Sequence, residues 1–252
     1  MMISDDRGVS ELMGYMVLVA VVTIAAVGLL TGCMGTLEAT ENQMEFTGAA
    51  ASLKSMGSIM AGSVETNNTF YTAFGMSVPL GFDLTVRNKY DDFRSIGIYQ
   101  DNSSVAFLPL GSIRLESPLR SSTFEGGAVI ANDSGIITLE TRPAIHVVKQ
   151  DNGEKALYIS AISISSESFV AHSGAITLLV KCKSLKTFVI HPSPGANVSI
   201  RVETSEGQAW KSSLEECGYS AEYDDGALII TIGDSSDIYV TYAEADVKRD
   251  DR

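Results

Sequence analysis

The chain has 252 residues, 31 acidic against 18 basic for a net charge of −13, with 45% hydrophobic residues and a mean hydropathy of +0.14. So acidic a chain lacks the basic face that nucleic-acid binding needs, and its supply of apolar residues excludes intrinsic disorder. The apolar excess is concentrated: Leu12 to Leu37 is 26 residues without one Asp, Glu, Lys, Arg or His, which points to a membrane segment, and the roughly 190 residues beyond the apolar segment suffice to bury a core.

The uninterrupted apolar run, Leu12 to Met34, is 23 residues. As a helix it covers about 35 Å, enough to cross a hydrocarbon core of about 30 Å. A cleaved secretory signal has an apolar core of roughly 7–15 residues behind a positive leader; here the leader holds Asp5 and Asp6 with only Arg7, so the helix is expected to be retained. Arg7 precedes the span and the first basic residue after it is Lys54, which predicts a cytoplasmic N-terminus and an extracellular C-terminal bulk in a single-pass protein. The N-x-S/T acceptors for glycosylation, Asn67, Asn102, Asn132 and Asn197, all lie downstream of the span and agree with that topology.

The order Arg7-Gly8, Val9-Ser10-Glu11 and then the apolar run resembles the start of an archaeal type IV pilin precursor, with its class III signal peptide. The resemblance covers roughly residues 5 to 35. It implies that a membrane prepilin peptidase cuts on the cytoplasmic side between Gly8 and Val9, removing residues 1–8 as a leader, and that the helix over 9–35 stays as the assembly element. Val9 would become the amino terminus, with Glu11 third, and ammonium and carboxylate could neutralise each other at the membrane edge. Bacterial pilins place that acid fifth, a departure that bears on the intersubunit salt bridge and leaves the cleavage expectation intact.

Ala25, Gly28, Gly32 and Gly35 are spaced +3, +4 and +3 and line one helix face. Gly28 to Gly32 is a G-x-x-x-G pair, which lets helix backbones approach closely in lipid. This face is expected to serve assembly with copies of the chain or other pilin subunits; the plain alternative is that glycine is common in membrane helices. Leu30-Thr31-Gly32-Cys33 also fits a bacterial lipobox, so lipidation at Cys33 competes with a small buried thiol in the helix.

Downstream, Ala49, Leu53, Met56 and Met60 recur at +4, +3 and +4, which predicts an amphipathic stalk helix over 36–66 that packs against its own domain. Gly48, Gly57 and Gly62 predict a break or bend in it. From Phe70 the period changes to two. Ile176, Leu178, Val180 and Cys182, then Val198, Ile200 and Val202, then Leu228, Ile230 and Ile232, then Ile238, Val240 and Tyr242 alternate with their neighbours as half-buried strands do. Further strands are predicted near 70–80, 83–87, 95–100, 104–109, 112–116, 126–131, 135–140, 144–149 and 156–165. Turn residues separate them, among them Asp151-Asn152-Gly153, Ser193-Pro194-Gly195 and Asp224-Asp225-Gly226. A dozen short strands without helices between them predict an antiparallel β-sandwich over 67–245, α+β with the N-terminal helix included, and a frayed charged tail over 246–252. The segment Phe124 to Ile130 following Gly111 to Arg114 loosely resembles uncharacterised archaeal proteins that join a pilin-type N-terminus to a β-rich domain.

Cys182 and Cys217 could close a disulfide outside the cell, or stand as two separate thiols. Signatures of catalysis such as G-x-S-x-G, H-E-x-x-H or a P-loop lysine are missing from the sequence. His146, His172 and His191 stand far apart; Asp91-Asp92, Glu215-Glu216 and Asp224-Asp225 read as solvated turns; Trp210, Tyr219 and Tyr223 read as core aromatics. No catalytic residue, metal or cofactor is therefore expected. The expected function is that of a membrane-anchored cell-surface structural protein, a pilin-like subunit or minor pilin. The rivals are a surface binding or envelope protein that borrows the anchor without polymerising, and a lipoprotein carrying an extracellular enzyme or ligand site.

Overall fold

The computed structural model describes residues 6–149, 155–193, 195–216, 219–224, 227–233 and 237–250. They fall into two compact units, Met1–Met44 and Glu45–Arg252. In chain order the elements are α1 (Asp6–Glu65), β1 (Tyr71–Val78), β2 (Asp83–Arg87), β3 (Ser95–Gln100), β4 (Ser103–Pro109), β5 (Ser112–Glu116), β6 (Arg120–Glu125), β7 (Ala128–Asp133) and β8 (Ile136–Thr141). They continue with β9 (Ala144–Lys149), β10 (Lys155–Ile164), β11 (Phe169–Ala171), β12 (Gly174–Ile190), β13 (Val198–Glu203), α2 (Gly207–Glu216), β14 (Ala221–Asp224), β15 (Ala227–Gly233) and β16 (Ile238–Asp250).

In the first unit α1 is apolar all round from Met13 to Met34, and this stretch has nothing buried against it. In the second unit, hereafter the head, the same helix buries one stripe: Ala49, Leu53, Met56, Met60 and Val64 lie in the core while Ser58 and Ile59 face water. The break expected at the stalk glycines does not occur. Gly57 is the point of closest approach instead, since a Cβ there would stand 2.5 Å from Val129 Cγ2 and 3.2 Å from the Phe124 ring. The helix stops where Asn67 takes a left-handed φ of 54° and the Asn68 N–H reaches back to the Ser63 carbonyl at 2.7 Å, a Schellman-type end with Asn in the usual place of Gly.

Three sheets build the head: β1-β12-β16-β10-β9 (sheet A), β11-β2-β5-β6-β7-β8 (sheet B) and β14-β15-β13-β3-β4 (sheet C). All pairs are antiparallel except β10 with β16, which run parallel because the chain between them crosses through the other sheets. Two cores result. In one, sheet A meets sheet B and the stripe of α1, around Met56, Val86, Phe124 and Leu178. In the other, sheet A meets sheet C and α2, around Ile98, Ile159, Ile200 and Trp210. The 17-residue β12 serves both, with Ile176 to Cys182 and Leu185 in or against the first core and Phe188 and Ile190 against the second, and its ladder with β16 slips at Cys182/Ser184.

Two expectations need correcting. The domain is not free of helices, since α2 buries Ala209, Trp210, Ser213 and Leu214 in the second core. The charged tail is not frayed through 246–250: Asp246 to Asp250 pair with Lys181 to Thr177, and Val247 is buried. Cys182 is a free buried thiol that donates to the Ser184 carbonyl at 3.5 Å. It belongs to the first core; Cys217 lies outside the described residues, as do Asp151, Asn152, Gly153, Pro194, Asp225 and Gly226.

Candidate functional site

Met13 to Met34 is, among the described residues, the one helix long and apolar enough to cross a membrane. Its threonines are answered within the helix: Thr23 Oγ1 donates to the Val19 carbonyl at 2.7 Å and Thr31 Oγ1 to the Val27 carbonyl at 3.0 Å. A Cβ placed on Gly28 or Gly32 meets nothing within 4 Å, so with Ala25 they present bare backbone on one side of an exposed helix. Cys33 is exposed as well. Gly8, Val9, Glu11 and Gly35 lie within the helical backbone of α1.

The four acceptor asparagines are dispersed. Asn67 caps α1 and accepts from the Thr187 hydroxyl at 3.2 Å; Asn102 sits at φ 64° in the β3–β4 turn. Asn197 is exposed ahead of β13, its N–H donating to Asp101 Oδ1 at 3.0 Å, whereas Asn132 is half-buried on β7 and accepts from the Gly135 N–H at 3.0 Å.

The densest buried polar group was not visible as a motif. Arg94, just before β3, is 4% exposed; its Nη1 donates to both Asp92 oxygens at 2.8 and 2.7 Å and its Nε to Glu125 at 2.6 Å. Nη2 reaches Ser205 at 2.7 Å, and Ser112 donates to Asp92 at 2.6 Å. Glu125 also accepts from Thr204 Oγ1 and from the indole N–H of Trp210. Asp92 is thus no solvated turn residue, which corrects the reading of Asp91-Asp92. Burial pushes the Glu125 carboxyl above the ordinary range, opposed by Arg94 and the two neutral donors. Burial also works against the Arg94 charge, but the two carboxylates outweigh it. The Arg94, Asp92 and Glu125 side chains are turned toward one another and closed off from solvent, so the cluster ties the loop before β3, the end of β6 and the start of α2 together and offers no open position to a substrate at its charged centre.

A second pair is less enclosed. Lys89 Nζ bonds Glu244 at 2.7 Å, with side chains 8% and 20% exposed. Burial disfavours the ammonium, yet the bond to Glu244 and the nearby Tyr242 hold its pKa above the ordinary value, while the same bond holds Glu244 below its own. A cleft of about 720 Å³ opens beside the β10–β11 connection, with Ser166, Lys183, Asp246 and Lys248 in its lining; Lys248 is engaged with Asp246 at 3.4 Å.

The histidines stay apart, His172 on Asp83 at 2.7 Å, His191 on Asp237 at 2.8 Å and His146 near Glu65 at 3.7 Å. Among the described residues no cluster of His, Cys, Asp and Glu could hold a metal. Glu216 pairs with Arg142 and Glu215 with Lys211 at 3.7 Å. Trp210 is fully buried and Tyr219 packs against the same core, whereas Tyr223 is 49% exposed. No curated protein and no solved structure matches the chain. A family model described as a family of unknown function, DUF7289, matches residues 7–248, and the chain therefore belongs to that family.

Proposed function

We propose that the protein is a single-pass, membrane-anchored structural protein of the cell surface, a type IV pilin-like subunit processed after Gly8, with its sandwich-like β domain outside. The observation that carries this reading is the pairing of Met13–Met34, uncharged and without a buried residue, with a head that needs nothing from it for its own core. Such a helix is stable only in lipid or against other apolar helices. The bare face at Ala25, Gly28 and Gly32 supports helix association as the mode of assembly, through copies of the chain or other pilin subunits. The family match runs through helix and head alike, which favours the helix as a lasting part of the molecule. Catalysis has no part in this reading.

The amino terminus of the mature protein tests it. A start at Val9, lost when prepilin peptidase is absent, is the expected result. A lipid-blocked Cys33 would replace this reading with the lipoprotein one, and an intact leader would leave an unprocessed anchor.

A further inference from the structure

Sheet B gathers three loop tips at the end of the head where α1 enters. Asp83 pairs with Glu116, Glu116 with Ser121, Arg120 with Asp133 and Asp133 with Ile136. The segment before β2, the β5–β6 turn and the β7–β8 turn therefore lie side by side. α1 arrives at the same end: the Phe46 ring stacks on Phe82 with centroids 5.0 Å apart, and the Arg120 guanidinium lies 5.9 Å from it. The Ser134 N–H donates to the Leu119 carbonyl at 2.8 Å and ties two of the tips together. Each tip carries an aliphatic side chain mostly in water: Leu80 is 74%, Leu119 71% and Ile136 72% exposed. With strands about 4.8 Å apart, the four spacings from β2 to β8 make an apolar row about 19 Å long. One exposed leucine is ordinary; a row of them at one end marks a contact surface.

Two acids at this end are paired with arginine, Glu116 with Arg114 at 3.1 Å and Asp133 with Arg120 at 3.0 Å, and Asp83 lies 2.7 Å from the His172 ring. On a chain of net charge −13, Arg114 and Arg120 lessen the repulsion between this end and phosphate headgroups.

We infer that this end of the head docks on the surface of the bilayer that holds α1, with Leu80, Leu119 and Ile136 entering the headgroup layer. The inference rests on the anchor reading above. The tether identifies the occupant: residues 35–44 alone separate the span from the head, and ten residues reach at most about 35 Å. So short a linker keeps the lipid surface at an effective concentration in the millimolar range, where a contact too weak to recruit a free protein suffices.

The test uses the full chain in phosphatidylcholine vesicles, at less than one copy per vesicle, with acyl chains either plain or brominated near the headgroup. The one native tryptophan, Trp210, is fully buried and sets a constant background. Leu119→Trp and Ile136→Trp are expected to lose at least half of their added fluorescence to brominated lipid. Val105→Trp, on edge strand β4 of sheet C, is expected to lose less than a tenth. Equal quenching at all three positions in protein that floats with the vesicles overturns the docking and leaves the anchor standing. A blue shift at Leu119→Trp without bromine quenching overturns it in favour of cover by protein. Protein that does not float overturns both readings.

Discussion

One helix, α1, meets two environments. From Met13 to Met34 its apolar side chains point in every direction and none is buried; from Ala49 to Val64 they form a stripe, and the stripe alone is buried. An unbroken apolar surface can be satisfied only by an apolar surrounding on all sides, whereas a stripe asks for one protein face. The contrast shows that the two halves call for different surroundings even though both are helix.

Breaking the head should have the largest effect. Arg94→Ala leaves Asp92 and Glu125 buried against each other with no cation, and about 3–5 kcal/mol of head stability is expected to be lost in a denaturant titration followed at Trp210. Flotation with membranes should be unchanged, because the proposed anchor, Met13–Met34, is untouched. The comparison sharpens with a matched pair: Leu53→Ala should cost the head about 2–5 kcal/mol, Leu53 being fully buried, while Leu29→Ala, 71% exposed, should leave head unfolding unmoved. Val22→Arg reverses the pattern. It should leave head unfolding intact and weaken membrane retention by about 2.5–3.5 kcal/mol, read as extraction of the protein by alkaline wash.

The smallest effect concerns the Lys89–Glu244 bond. The bond to Lys89 lowers the Glu244 pKa in the folded chain, so its contribution is complete above the unfolded value near 4.5 and disappears as pH falls through the folded value. Lys89 is raised, so its share is present below 10.5 and disappears in the alkaline range. Glu244→Gln should therefore lower stability at pH 7 by about 1.5 kcal/mol, the low end for a charge-assisted bond. It should also flatten the loss of stability below pH 4.5, measured by thermal melts across that window.

Much of the fold was legible in the residues. The predicted strands at 83–87, 95–100 and 112–116 coincide with β2, β3 and β5, and the stripe from Ala49 to Met60 is the buried face of α1. β6 escaped because its sequence, RSSTFE, buries Ser121, Ser122, Thr123 and Glu125 and carries no alternating apolar pattern. α2 escaped because its buried face rests on few apolar residues, although Ala209, Trp210, Ser213 and Leu214 do recur at helical spacing. The Arg94 cluster was hidden for another reason: its members come from positions 92, 94, 112, 125 and 204–210, which only the pairing of sheets brings together.

The sequence by itself determined that one segment of this protein is long and apolar enough to cross a membrane and that most of the rest alternates as strands, because both are statements about neighbours along the chain. Tertiary structure alone decided that Asp92 is buried, that the charged residues 246–250 complete a strand, that Gly57 lets α1 lie close on β6 and β7, and that Leu80, Leu119 and Ile136 share one end. Each depends on groups far apart in sequence, and burial, pairing and close approach are decided by what the chain folds against.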